Sequence, residues 1–191
     1  MKKALFLIYD GYAEFEINIL SFFLKDKGFY IETVGVSDDP YIEGESGFFT
    51  VPKLKLGEVE VSQYDILIIP GGNIFPLLNN QKLLDLIKEF RYENKWIAGI
   101  CSASALLGAS GVLNNIKFST SLNSKVKEVE NLHDWTKKQL NCVTVDSRII
   151  TATGSAYVEF AVVVLKVLGY LDSYEEEKET ILYYKNLILE Y

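Results

Sequence analysis

Residues Ala4-Leu5-Phe6-Leu7-Ile8-Tyr9 are apolar at every position. A strand with one wet face alternates. A continuous run belongs to a strand covered on both faces, as in a parallel sheet between helices. This feature confines the chain to folds that alternate strands with helices, and the rest of the sequence follows the pattern. Asp10-Gly11 ends the run. Residues 14–27 are predicted helical, with Phe15, Ile19, Phe22 and Phe23 at helical spacing and Gly28 as the stop. Residues 30–36 read as a second strand, which completes a βαβ unit. Residues 38–62 carry Pro40, Gly44, Gly47, Pro52 and Gly57 and read as irregular or hairpin-like.

Residues 64–69 and 96–100 are further core strands, with a helix predicted over 77–93 between them. Residues 102–111 read as a small-residue helix. Residues 118–122, 142–145 and 149–152 read as short strands, the last two joined in a hairpin at Asp146-Ser147. A mostly buried helix is expected over 156–168 and an amphipathic terminal helix over 174–189. The expectation is a three-layer α/β sandwich with a mostly parallel central sheet. It forms one domain over 1–191, with residues 172–191 as a C-terminal helix.

Charge narrows the function. The chain has 191 residues, 19 basic and 26 acidic, for a net charge of −7, and only Arg91 and Arg148 are arginines. Phosphate contacts need clustered Lys and Arg, so nucleic acid is not an expected partner. The most apolar stretch, residues 160–171, is broken by Lys166 and falls short of the roughly 20 residues of a membrane span. Met1-Lys2-Lys3 is followed by too short an apolar run for a secretory signal. The expected setting is cytoplasmic, with Cys101 and Cys142 reduced. Neither Cys has zinc-like spacing, and no GxGxxG or Walker A motif occurs. No metal and no cofactor are expected.

In open α/β sheets ligands collect at the carboxyl ends of strands. Three segments lie there. Cys101 sits in Ala98-Gly99-Ile100-Cys101-Ser102-Ala103-Ser104, at a strand end among small residues. A sharp strand-to-helix turn needs such neighbours, and a helix N-terminus favours thiolate. A buried structural Cys is the other reading of the same residues. Pro70-Gly71-Gly72 permits close backbone approach and outward N–H groups, the requirement of an oxyanion hole, and is equally a plain turn. Glu16 lies early in the helix after Asp10-Gly11, where burial would keep a carboxyl protonated and able to donate to sulfur. Glu14 fits a solvated first-turn carboxylate. Cys142 reads as a packing residue in a strand, and His133, beside Asp134, as a surface or helix-start residue.

Four pieces in order give a resemblance. They are Tyr9-Asp10-Gly11-Tyr12-Ala13-Glu14-Phe15-Glu16, Ile68-Ile69-Pro70-Gly71-Gly72, Gly99-Ile100-Cys101-Ser102-Ala103 through Leu113, and Ile149-Ile150-Thr151-Ala152-Thr153-Gly154-Ser155-Ala156 through Ala161. Together they resemble the ThiJ/PfpI superfamily, also called the DJ-one superfamily. Its members are flavodoxin-like proteins related to class I glutamine amidotransferases. The resemblance implies that Cys101 is the reactive cysteine on the elbow and Glu16 the acid touching its sulfur. It also implies that the N–H groups of Gly72 and Ser102 bind an anion, and that the protein is a homodimer acting on a small molecule.

Many members place a His in the segment that here reads Phe118-Ser119-Thr120-Ser121-Leu122-Asn123. Ser121 stands at that position, and His133 does not match the motif. A true glutamine amidotransferase, which uses a Cys-His-Glu triad, is therefore not expected. The functions implied are Cys-dependent amidase or peptidase, glyoxalase or deglycase, and hydratase chemistry. The competing expectations are a non-enzymatic redox or stress-response protein that senses oxidation through Cys101, and a module that binds a metabolite without turnover.

Overall fold

The computed structural model describes residues 2–171 and 173–185. The opening apolar run is strand β1 (Lys3–Ile8), with every residue from Ala4 buried. It is followed by α1 (Phe15–Asp26) and β2 (Tyr30–Gly35). The irregular stretch holds a small hairpin, β3 (Ile42–Glu43) and β4 (Phe49–Thr50), and the edge strand β5 (Leu54–Lys55). Then come β6 (Ile66–Ile69), α2 (Gln81–Tyr92), β7 (Trp96–Ile100), α3 (Ser104–Ala109), β8 (Val143–Asp146), β9 (Ile149–Ala152), α4 (Tyr157–Val167) and α5 (Tyr174–Tyr184).

The main sheet has seven strands in the order β5-β2-β1-β6-β7-β9-β8, parallel except for the antiparallel pairing of β8 with β9. Ser147 and Arg148, both at positive φ, form the two-residue turn of that hairpin. From β1 the chain moves first to β2 on one side, and from β6 onward to the other. Right-handed crossovers then put α1 and α2 on opposite faces. Contacts follow suit, α1 against α4 and α2 against α3. The expected three-layer, mostly parallel sandwich is what forms.

Four local readings change. The buried face of α1 is Glu16, Ile17, Leu20, Phe23 and Leu24, whereas Phe15 and Phe22 point outward. Spacing alone could not tell the two stripes apart, because the buried one contains a carboxyl. Residues 118–122 are not a strand. Phe118 makes a single bridge to Lys138. The N–H groups that would continue a ladder go to side chains instead, Ser119 to Thr151 Oγ1 and Leu122 to Thr120 Oγ1. Cys142 lies just before β8 and is exposed, so it is not a packing residue. Of the expected terminal helix, residues 174–184 are helical. They are tied to α4 by Lys166–Glu177 (2.7 Å) and by Lys185 to Glu159, while 186–189 lie outside the described residues.

The fourth change concerns His133, which is buried rather than on the surface. Its ring lies 5.0 Å from that of Phe118 and 4.8 Å from that of Trp135, and Nε2 faces the Ser104 carbonyl at 3.0 Å. Asp134, the neighbour expected to pair with it, instead accepts from the Thr136 N–H and hydroxyl. Burial pushes the imidazole below its ordinary value, the bonds to the Val129 and Ser104 carbonyls pulling the other way. The unfolded chain therefore binds the proton at higher pH than the folded one. Its contribution to stability is complete above about pH 6.5, the ordinary His value, and declines as pH falls from there through the folded value. In His133→Phe, which keeps a ring between the two aromatics, the decline of the urea midpoint between pH 7 and pH 5 should be shallower than in the parent.

Candidate active site

The three segments singled out at strand ends meet at one point. β7 runs up to Ile100 in extended backbone, and Cys101 then takes φ +60° at the start of a single 3-10 turn, Cys101–Ala103, that leads into α3. A left-handed, non-glycine residue costs about 1–3 kcal/mol unless its surroundings impose it. Ala103 and Leu107 pack closely against Gly99 from the helix side, where an added methyl would stand 3.0 Å from Leu107 Cδ1 and 3.3 Å from Ala103 Cβ. The elbow lifts the half-buried thiol above the sheet.

Glu16 reaches the same place from the first turn of α1. It is 2% exposed, and its Oε2 accepts the Gly71 N–H at 2.7 Å. Its other oxygen lies on the sulfur side, where a methyl added at Gly154 would stand 2.7 Å from Oε1 and 2.9 Å from Cys101 Sγ. A methyl at Gly71 would likewise stand 2.7 Å from both Cys101 Cβ and Glu16 Oε2. The acid and the thiol face each other, each shifting the other's titration, and are enclosed by two glycines with no room for a side chain. Tyr9, buried at the end of β1, secures the strand end that supplies Gly71. Its hydroxyl lies 2.6 Å from the Gly71 carbonyl and 3.0 Å from that of Pro70.

The N–H groups of Gly72 and Ser102 are both engaged. Gly72 N–H donates to Ser102 Oγ at 3.1 Å, and that hydroxyl lies 3.1 Å from the Gly72 carbonyl. Ser102 N–H bonds the Cys101 sulfur. Two further groups complete the surroundings. Ser121 touches the sulfur, and its Oγ accepts the Gly154 N–H at 2.8 Å. Gly154 lay within a segment already quoted, but a glycine seen in sequence does not reveal what packs on its face.

Charge at the site departs from the sequence reading. Burial pushes the Cys101 thiol up, to about 11; the Ser121 hydroxyl pulls it down, an ionised Glu16 pushes it further up, and the Ser102 N–H pulls it down. The helix-end argument had weighed the N–H groups and left out the loss of water. Burial also raises the Glu16 carboxyl, with the Gly71 N–H and the thiol pulling it back. Two acids in contact in a dry site do not ionise together, so the first charge suppresses the second. The value of about 11 is that of a thiol facing a carboxylate. With the proton on Glu16 Oε1, the repulsion from its charge is gone and its hydrogen bond to sulfur favours the thiolate instead.

Glu14, expected to be solvated, is buried 5% exposed and accepts from the Ser46 N–H and hydroxyl, which fastens the turn between β3 and β4 beside the site. His133 lies behind α3 and does not reach the sulfur, its two ring nitrogens facing main-chain carbonyls. Among the described residues no three His, Cys, Asp or Glu side chains gather to hold a metal ion. Nor is any helix among them long and apolar enough to cross a membrane.

A match to the DJ-1/PfpI family runs over residues 2–167. The chain belongs to the DJ-1/PfpI family. A Bacillus subtilis relative, YdeA, described as an uncharacterized protease, is 30% identical over 174 residues, 89% of this chain and 85% of that protein. A deglycase of Thermococcus kodakarensis is 27% identical over 116 residues, 60% of this chain and 69% of that protein. Among solved structures, a DJ-1 superfamily protein from Agrobacterium tumefaciens superposes with a TM-score of 0.86 at 26% identity, covering 98% of this chain and 100% of that one. Drosophila melanogaster DJ-1beta shares the fold, with a TM-score of 0.77 at 22% identity over 100% of this chain and 99% of that one.

Within this DJ-1/PfpI chain the tightest constraint on the sulfur is Gly154. In Gly154→Ala the methyl would displace Glu16 Oε1 or the thiol. Alkylation of Cys101, measured in a Cys142→Ser background, should slow by about ten- to a hundredfold, the usual scale for a displacement of about 1 Å at a reacting centre. The circular-dichroism spectrum should be unchanged.

Proposed function

We propose that Cys101 is the nucleophile of a thiol-dependent enzyme acting on a small carbonyl compound, of glyoxalase or deglycase type, with Glu16 as its proton donor. The observation that carries this is the unequal treatment of the two Glu16 oxygens. A backbone N–H can only donate, and the C=O oxygen of a carboxyl accepts better than its hydroxyl oxygen, so Oε2, which receives the Gly71 N–H at 2.7 Å, is assigned as the C=O oxygen. The carboxyl proton then belongs on Oε1, beside the sulfur. A protonated carboxyl donating to sulfur stabilises the thiolate.

In the reaction the thiolate pair forms a C–S bond to the carbonyl carbon, and the C=O π pair moves onto oxygen. That oxygen takes the Oε1 proton, which leaves Glu16 as the carboxylate that recovers a proton when the adduct breaks down. The developing oxyanion needs the Gly72 N–H, which Ser102 Oγ releases by turning its side chain. Amide hydrolysis fits less well. Expelling an amine calls for a general acid that returns to neutrality between steps, and the chain's one imidazole is held against carbonyls elsewhere. Relatives named as a protease and as a deglycase bracket the two chemistries.

The test is turnover of methylglyoxal by the parent and by Cys101→Ser, with a simple amide alongside. Loss of methylglyoxal turnover in the variant supports the proposal. Peroxide modification of Cys101 without turnover of either compound favours a redox role instead. Glu16→Leu should raise the Cys101 pKa by about one to two, since a hydrogen bond to a charged group contributes about 1.5–3 kcal/mol. The parent value, followed by thiolate absorbance in Cys142→Ser, should lie below the value of about 11 that belongs to a thiol opposite a carboxylate. A lowered pKa in Glu16→Leu would put the charge on Glu16 and remove it as the donor.

A further inference from the structure

We infer that Ser121 is a catalytic residue whose hydroxyl donates its hydrogen to Cys101 Sγ and holds the negative charge there. The inference rests on the reading of Cys101 as the nucleophile.

The direction of the bond follows from what surrounds the oxygen. Gly154 N–H points at Ser121 Oγ at 2.8 Å and can only donate, so the serine oxygen is the acceptor of that bond. The one hydroxyl hydrogen is left for another group, and the sulfur stands beside it: Ser121 Oγ lies on the Gly154 N–H, and a methyl on that same glycine would be 2.9 Å from Cys101 Sγ. The residue is also held in place from its own chain. Thr120 Oγ1 donates to the Cys101 carbonyl at 2.9 Å and receives the Ser104 hydroxyl at 2.7 Å and the Leu122 N–H at 3.1 Å. Segment 120–122 is thereby fastened to the elbow itself, and Ser121 cannot drift from the sulfur without breaking bonds of the residue before it.

A hydroxyl in this position does work that an imidazole would do differently. Accepting a proton would make it an oxonium, so it is no base at neutral pH. It lowers the energy of a thiolate that is already formed. No bond to hydrogen breaks at Ser121 during the reaction. When the sulfur pair forms the C–S bond, sulfur becomes a neutral thioether, a weak acceptor, and the Ser121 bond weakens. Charge on sulfur is thus held from two sides, by Glu16 from the core and by Ser121, which is exposed, from the open side. Reactivity should accordingly follow the ionisation of the thiol–carboxyl pair, with no separate limb near pH 6.5, the ordinary His value.

The experiment is the rate of Cys101 alkylation by iodoacetamide against pH in a Cys142→Ser background, for the parent, Ser121→Ala, Ser121→Thr and Glu16→Leu. In Ser121→Ala the curve should move to higher pH, with about tenfold less reactive thiolate at neutral pH. Its plateau at high pH should be kept or raised, because a less stabilised thiolate is the stronger nucleophile. Ser121→Thr, which keeps the hydroxyl, should follow the parent. A Ser121→Ala curve that superimposes on the parent, or moves to lower pH, would overturn the assignment. So would an unmoved curve with a lowered plateau, the signature of a merely structural role. If Glu16→Leu moves the curve and Ser121→Ala does not, the nucleophile stands and Ser121 falls. If Cys101 is not alkylated in the parent at any pH, both readings fall.

Discussion

The bond from Gly71 N–H to Glu16 Oε2 ties the end of one central strand to the helix that follows another. It connects the end of β6 to the first turn of α1, elements 55 positions apart in sequence, at a length of 2.7 Å in a buried setting. Several features depend on it. Glu16 could not occupy the inner face of α1, 2% exposed, without a donor for its second oxygen. Gly71 could not present that N–H with any side chain of its own, because a methyl there would strike both Cys101 and Glu16. Tyr9 holds the carbonyl of the same residue, so both the N–H and the C=O of Gly71 are fastened. The elbow at Cys101 then meets a surface whose polar groups are already assigned.

Much of the fold could be read from the chain because burial on two faces leaves a strong mark. Residues 4–8 of β1 and Trp96–Ile100 of β7 carry no polar side chain except the indole N–H of Trp96, and a parallel sheet is nearly the only home for them. The site was legible for a different reason. Small residues around Cys101 and the Gly pair after β6 are tolerated almost anywhere, but their place at strand ends, four motifs in order, is specific. What could not be read was the direction in which individual polar groups face. Glu14 and Glu16 lie two residues apart, and both are buried, one holding the turn around Ser46 and the other holding the sulfur. Periodicity assigned Phe15 and Phe22 inward because it counts apolar atoms, and a buried carboxyl counts against the stripe that contains it.

Segment 112–142 was the least legible for the same physical reason. Its order comes from side-chain hydrogen bonds and stacked rings rather than from a repeating backbone pattern. Ser119 alone engages Thr151, Thr144 and the Asn141 carbonyl. Such contacts leave no period to detect. At Cys101 the sequence shows only one of two opposing effects. A helix end stabilises an anion through a few N–H groups, and removal of water from the sulfur opposes them. Which effect prevails is decided by the groups that replace the water, here a carboxyl, a serine hydroxyl and one peptide N–H.

The ends of the sheet carry a consequence of another kind. A row of parallel strands closed by helices above and below is still open at its two sides, where unpaired backbone groups invite another chain to add a strand. On one side this protein stops at β5, only two residues long and carrying Lys55, whose ammonium pairs with Asp38. On the other side the last strand, β8, is reversed in direction and four residues long, and a tight turn at Ser147-Arg148 folds it back on β9. The long apolar strands, which would be the hazardous templates, are all interior to the sheet. Polymerisation through the edges is thus disfavoured by strand length and direction.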